Sequence, residues 1–274
     1  MTFRRYDMER FWTAKYGDVA LTGWRVRLRR RFHYFTPDDF YEAAVEQRVH
    51  SSTRWLDVGC GRNLFPSNSS LSRALASRCR RLTGVDPDDT LDQNPFVAER
   101  IKGTVRDCPG NACYDLVTLR MVAEHVEEPR ELIAELARLC KPGGSVIVYT
   151  VYKWSLAGTL ARWVPFHLHH PIKSVLWQTE PEDTFPVYYR MNTRRALTEH
   201  FVSGGFAETH FAYLDDCSIL GRWRWLQFAE LCLQKVLHIA LMHYPELCLL
   251  GIYQNVDLGS RGSSASNRAL ERER

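Results

Sequence analysis

The chain has 274 residues, 45% of them apolar and 25% charged, an ordinary soluble globular composition with enough length for one large core and a cap. Its net charge is only +4, and no stretch approaches the roughly 20 uninterrupted apolar residues of a membrane span, so neither a membrane-spanning protein nor a dedicated nucleic-acid binder is expected. Eight cysteines form no Cys-x-x-Cys pair and no signal peptide precedes them, so reduced thiols in a cytoplasmic protein are the expectation.

The charge is uneven. Residues 1–35 hold nine Lys or Arg against Asp7, Glu9 and Asp18, and "RVRLRRR" (Arg25 to Arg31) is the densest run. Such a run is either a solvated helix edge or a contact for an anionic substrate, a membrane surface or nucleic acid. Next, "YFTPDDFYEAAVEQRV" predicts a helix: Thr36 can cap it, Pro37 suits its first position, and Asp38 and Asp39 favour the positive end of its dipole. "RWLDV" (54–58) reads as a strand, "SLSRALASRC" (70–79) as a helix capped by Ser69 or Ser70, and "RLTGVD" (81–86) as a second strand. "RIKGTVRD" (100–107) holds a short third strand closed by Asp107, and "YDLVTL" (114–119) is a fourth. "PRELIAELARLC" (129–140) is an amphipathic helix stopped by "KPGG", and "SVIVYT" (145–150) is a fifth strand.

Residues 151–192 are rich in Trp, His, Tyr and Pro and have no clean period. "TRRALTEHFVSGGF" (193–206) is a helix capped by Thr193 or Asn192 and closed by Gly204 and Gly205. "AETHFAYL" (207–214) is a strand, 222–243 a long amphipathic helical stretch, and "ELCLLGIYQN" (246–255) a last strand; the tail from Gly259 is expected to be disordered. Strands that alternate with helices and are apolar on both faces predict an α/β fold with a doubly covered, mainly parallel sheet. The expected organisation is one domain over 1–258: an N-terminal helical cap (1–50), a core (53–150), a substrate cap (151–192), and a closing part (193–258) with an inserted helix at 220–243.

"LDVGCGRN" carries a strand into a glycine turn. At the carboxyl end of a parallel sheet, Gly59 and Gly61 permit unusual backbone angles and close approach of a ligand, and the next helix offers free N–H groups. The second strand ends in Asp86, placed to accept hydrogen bonds from a ribose diol, and Asp107 is placed to meet an exocyclic adenine amino group.

"WLDVGCGRN", "LTGVDPDD", "YDLVTLRMVAEHV" and "LARLCKPGGSVIVYT" together resemble the successive motifs of class I S-adenosylmethionine-dependent methyltransferases, across residues 53–150 and more weakly to about 255. The resemblance implies a Rossmann-like seven-stranded sheet with its last strand antiparallel, and S-adenosyl-L-methionine as cofactor. Carried onto this chain, it implies that Asp57, Gly59, Cys60 and Gly61 line the methionine end, Asp86 and Pro87 the ribose, and Asp107 and Cys108 the adenine. Leu119, Arg120 and Met121 would border the methionine side. Asn63 stands where the family often has a third glycine, and Asn tolerates left-handed angles. A dinucleotide dehydrogenase fits less well, because its Gly-x-Gly-x-x-Gly spacing needs glycine at 64, where this chain has Leu.

Methyl transfer from a sulfonium is an in-line displacement. The protein aligns the nucleophile, excludes water, and removes a proton when the nucleophile is a hydroxyl. His125, in "EHV" after the fourth strand, is the candidate base, with a hydrogen-bonded structural histidine as the alternative; Glu124 is expected to orient nearby groups or to contact the amino group of the methionine moiety. His167, His169 and His170 in "FHLHHP" lack a carboxylate at a recognisable ligand spacing, so they read as a pocket wall or packing histidines and no metal is expected. Tyr188, Tyr189 and Arg190 are candidates for an anionic or aromatic substrate, and equally for packing. The inserted helix, with Trp223, Trp225, Phe228 and Leu231, reads first as core or lid, then as a dimer contact or shallow membrane contact beside Arg222 and Arg224. The expected function is S-adenosylmethionine-dependent methyl transfer to a hydroxyl of a small molecule, by a monomer or homodimer. The alternatives are a methyltransferase for a lipid-linked or saccharide intermediate, and an inactive binding subunit that keeps the fold.

Overall fold

The computed structural model describes residues 5–155, 186–217 and 221–256. Three helices come first, α1 (Arg5–Tyr16), α2 (Trp24–Phe32) and α3 (Pro37–Glu46). The core follows as β1 (Arg54–Val58), α4 (Ser69–Arg78), β2 (Arg81–Asp86), β3 (Glu99–Lys102), β4 (Tyr114–Arg120), α5 (Pro129–Leu139) and β5 (Cys140–Val151). After it come α6 (Arg194–Ser203), β6 (Phe206–Asp215), α7 (Arg224–Ile239) and β7 (Glu246–Asn255). The strands form one seven-stranded sheet in the order β3-β2-β1-β4-β5-β7-β6. β1 to β5 pair in parallel, and β7 runs antiparallel to both β5 and β6.

Alternation along each strand sorts the core into two layers. Leu56, Val58, Val117, Leu119, Val146 and Val148 face one way and pack with Leu132, Ile133 and Leu136 of α5 and Leu197 and Phe201 of α6. Trp55, Leu116, Ile147 and Tyr149 face the other way, against Tyr41, Ala44 and Val45 of α3 and Leu75 of α4. Each fully buried side chain of this size contributes about 1.5–3 kcal/mol, so the two layers fix the sheet and, with it, the positions of the strand ends.

Most boundaries shift by a few residues from the sequence reading, and three differences matter for the site. The cap of α4 is Asn68, not Ser69 or Ser70; its side chain accepts from Leu71 N at 3.1 Å and donates to Glu42 of α3 at 2.8 Å. "KPGG" does not merely stop α5: helix ends at Leu139 and β5 starts at Cys140, with its pairing to β4 shifting register between Tyr114 and Leu116. β3 ends at Lys102, so Asp107 lies beyond the strand, in a 3-10 turn over Val105–Asp107.

The helix over 37–46 starts as expected, with a capping box between Thr36 and Asp39. Asp39 does more than cap. It is buried, accepts from Trp12 Nε1 at 3.1 Å, and pairs with Lys15 at 2.8 Å and Arg29 at 3.4 Å. Lys15 also pairs with Glu42 at 2.8 Å. Burial opposes the charge on Lys15, but the two carboxylates outweigh it and hold the ammonium above its usual range. Ionic and aromatic contacts thus fasten α1 and α2 to α3, and Arg29 of the basic run is spent inward.

Candidate functional site

β1 and β2 lie side by side with Asp57 opposite Gly84 and Val58 opposite Val85, so their carboxyl ends open onto the same rim. At that rim the chain turns left-handed twice, with φ +66° at Gly59 and +42° at Gly61. A side chain at Gly59 would place its Cβ 2.4 Å from Cγ2 of Val122, which follows β4. At Gly61 the nearest atom to such a Cβ is Thr90 Oγ1 at 3.9 Å, so that side of the turn is open. Asn63 is absent from the left-handed residues, so the missing third glycine is not needed here. Instead Leu64 and Phe65 bury themselves against Trp55 and Tyr41, and Asn68 ties the loop to α3.

Two side chains clamp the turn. Asp86 accepts from Gly61 N at 2.9 Å and from Asp88 N at 2.8 Å. Asn94, fully buried, donates to the carbonyls of Cys60 at 3.3 Å and Gly61 at 3.0 Å. Sequence reasoning found Asp86 and missed Asn94, whose signal is the Asn-Pro turn in "DQNPF". Pro87, next to Asp86, is exposed.

Beneath the turn, Asp57 and Trp55 share a face of β1 with Thr118 of β4 between them. Trp55 Nε1 donates to Thr118 Oγ1 at 2.7 Å, and Thr118 Oγ1 donates to Asp57 Oδ1 at 2.6 Å. Burial pushes the Asp57 carboxyl up to about 7; the Thr118 hydroxyl and Arg120 pull it down, and Asp86 adds to the rise. Its folded-state value lies above the ordinary 3.8. The stability it contributes is therefore full below pH about 4 and is lost as pH rises through about 7. A cation beside Asp57 reverses that balance by favouring the carboxylate. Arg120, at the end of β4, pairs with Asp38 of α3 at 3.5 Å.

The cysteines at this end are inert by environment. Burial drives the Cys60 thiol far above its usual range and the Cys108 thiol up to about 11. Asp107 sits on the same rim, one strand further out, and its carboxylate holds Thr104 N at 2.8 Å and Thr104 Oγ1 at 3.1 Å.

The β4 end carries the second half of the site. Leu119 is buried, Met121 takes φ +52°, and Ala123–His125 forms a 3-10 turn. Met121 N donates to Tyr149 O at 2.8 Å, which ties this turn to β5. Glu124 is buried and accepts from Thr150 Oγ1 at 2.7 Å, which in turn accepts from Asn192 Nδ2 at 2.7 Å. The carbonyl of Glu124 accepts from Tyr188 N at 2.8 Å and Tyr189 N at 3.2 Å. His125 Nδ1 stands 2.8 Å from Pro186 O. A carbonyl only accepts, so Nδ1 carries a proton, and of the two neutral tautomers this contact selects the one with its lone pair on Nε2.

The structure thus brings Asp57, Gly59, Cys60, Gly61, Asp86, Leu119, Arg120, Met121, Glu124 and His125 to one end of the sheet. Arg190 is engaged elsewhere: it pairs with Glu128 at 3.3 Å and lies over the Tyr188 ring at 5.7 Å. His167, His169 and His170 lie outside the described residues. Among the described residues no cluster of three His, Cys, Asp or Glu could hold a metal ion.

A family model described as a methyltransferase domain matches residues 20–207. The chain is 27% identical over 165 residues to a ubiquinone biosynthesis O-methyltransferase of Coxiella burnetii (strain RSA 331), covering 55% of this chain and 66% of that protein. It is 34% identical over 164 residues to the protein of that name from Saccharophagus degradans, with 55% and 66% covered. The matched stretch is therefore just under two thirds of these relatives' length. A Listeria monocytogenes structure assigned to the S-adenosylmethionine-dependent methyltransferases superposes with TM-score 0.52 at 13% identity, covering 81% of this chain and 99% of that one, which bears on the fold alone.

Proposed function

Since the chain belongs to the methyltransferase-domain family and has the class I methyltransferase fold, we propose that it transfers a methyl group from S-adenosyl-L-methionine to a hydroxyl of a small molecule, with His125 as the base. The residues present fit the cofactor. A buried carboxyl held near pH 7 at Asp57 suits a neighbouring cationic methionine moiety. The open side of Gly61 leaves room for a close approach to the backbone. Asp86, whose two oxygens accept from Gly61 N and Asp88 N, would meet a ribose diol through its remaining lone pairs. When bound, S-adenosyl-L-methionine supplies a methyl group already activated by its sulfonium charge.

The chain's own residues do the rest. The observation that supports the reading is the hydrogen bond from His125 Nδ1 to Pro186 O, which puts a ring proton on Nδ1 and favours Nε2 as the nitrogen that accepts a proton. Glu124 and Thr150 hold the segment after β4 against β5, and Asn192 fastens residues 186–192 to the same point. Leu119 is buried in the core layer beneath this end of β4, and Met121 is partly buried against the opposite layer with Tyr149. The hydroxyl acceptor is supported by relatives named as O-methyltransferases.

Incubation of the chain with methyl-labelled S-adenosylmethionine and a panel of phenols and catechols tests this. Label in an extractable methyl ether is the expected result. Label transferred only to amines or thiols of matched shape, or to nothing in a protein that binds the cofactor, would refute the hydroxyl assignment.

A further inference from the structure

Helix α7 is turned inside out. Its buried residues are Gln227, Glu230 and Leu231. The polar ones are committed inward: Gln234 donates to Asp215 at 3.0 Å, and Glu230 accepts from Tyr244 at 2.9 Å. The outward side is apolar. Trp225 is 83% exposed, Val236 61% and Ile239 74%, with Leu226 and Leu233 about half exposed and Leu241 following at 92%. At 100° per residue these side chains of the helix form one stripe, with Ala229 and Cys232 inside it and no charge within it.

The rim of the stripe has a single sign. From Gly221 to His243 the only carboxylate is Glu230, whereas Arg222, Arg224 and Lys235 are exposed. Helix α2 packs along α7 through Phe32 and Phe228, whose rings meet edge-on at 5.6 Å. Leu28 joins the same contact with Leu231 and Tyr34. Arg25 and Arg31 stand three residues either side of Leu28, so they border the line along which the helices meet, and both are exposed. No acidic residue occurs between Val19 and Phe35.

We infer that this face docks the protein on an anionic lipid bilayer, with the α7 stripe seated at the acyl boundary and the α2 and α7 arginines against the headgroup charge. A second copy would bring the same positive rim against itself, whereas an anionic bilayer complements both the charge and the apolar stripe, and tryptophans suit its interface. The docking does not depend on which acceptor is methylated.

The test is co-sedimentation of the full chain with phosphatidylcholine vesicles containing about one third phosphatidylglycerol, against phosphatidylcholine alone. The chain pellets with the anionic vesicles, less so as salt is raised, and little with the neutral ones. The double variant Trp225→Glu/Ile239→Glu loses at least about tenfold in vesicle affinity. Both sites are exposed, so its melting temperature and cofactor affinity stay as in the parent. Arg25→Glu/Arg31→Glu weakens the anionic preference. Absence of the parent chain from the anionic pellet, or pelleting of the folded double variant like the parent, would overturn the inference. So would a solution dimer that Ile239→Glu converts to monomer, since a second copy would then own the face.

Discussion

Gly59→Val is expected to weaken binding of S-adenosylhomocysteine by about a hundredfold or more. The backbone there has φ +66°, and a Cβ would lie 2.4 Å from Val122 Cγ2. An L-residue in the left-handed region costs about 1–2 kcal/mol, more when β-branched, and moving Val122 adds to it. About 3 kcal/mol corresponds to roughly two decades of affinity. The displacement also propagates, because Val122 opens the turn that carries Glu124 and His125. Calorimetric titration of the variant, with circular dichroism to confirm folding, reads the effect. Gly59→Ala keeps the strain with less bulk and should fall between parent and Val. A folded Gly59→Val protein that binds with parental affinity would mean that the turn does not shape the cofactor site.

His125→Ala is expected to lower turnover by about two to four decades while leaving cofactor affinity unchanged, the range for loss of a positioned general base. The ring also tethers Pro186 through Nδ1. His125→Asn separates the two roles: its amide reaches the Nδ1 position and can still donate to that carbonyl, yet it offers no base at Nε2. The Asn variant should therefore be as slow as Ala. Recovery of turnover in Asn would make His125 a tether for the segment and not the base.

Much of the sheet was legible because buried parallel strands are nearly continuous apolar runs. The bounds of β1, β2 and β7 were read directly, and of the two caps offered for α6, Thr193 or Asn192, the structure uses Thr193. The glycine turn was legible for a similar reason, since a strand followed by two glycines and then a second strand ending in aspartate has few other uses. What the sequence hid depends on partners far away in the chain. Asn94 clamps a loop about thirty residues earlier, and Thr118 gains meaning only when β4 lies beside β1. α1 buries Met8, Phe11 and Trp12, and α2 meets α7 through Leu28 and Phe32, but Lys15 and Arg29 also tie both helices to Asp39, whose charge looked like that of an ordinary helix-start acid. α7 misled in the opposite sense. Its periodicity gives an apolar face but not its direction, and the natural assumption that this face points to the core is reversed by the positions of Gln227 and Glu230.

The central claim is that the carboxyl ends of β1 and β2 hold the nucleoside and amino acid of the cofactor. Calorimetric titration of the unaltered chain with S-adenosylhomocysteine, at about pH 6 and about pH 7.5, tests it most directly. A ligand α-amino group stays largely cationic over that interval, as such groups titrate near 7.7–8.0. Asp57, pushed up to about 7, passes from mostly neutral to mostly ionised across it. Binding at both values, severalfold tighter at the higher pH, is the predicted result; no binding heat at either pH, in a protein shown to be folded, would contradict the account.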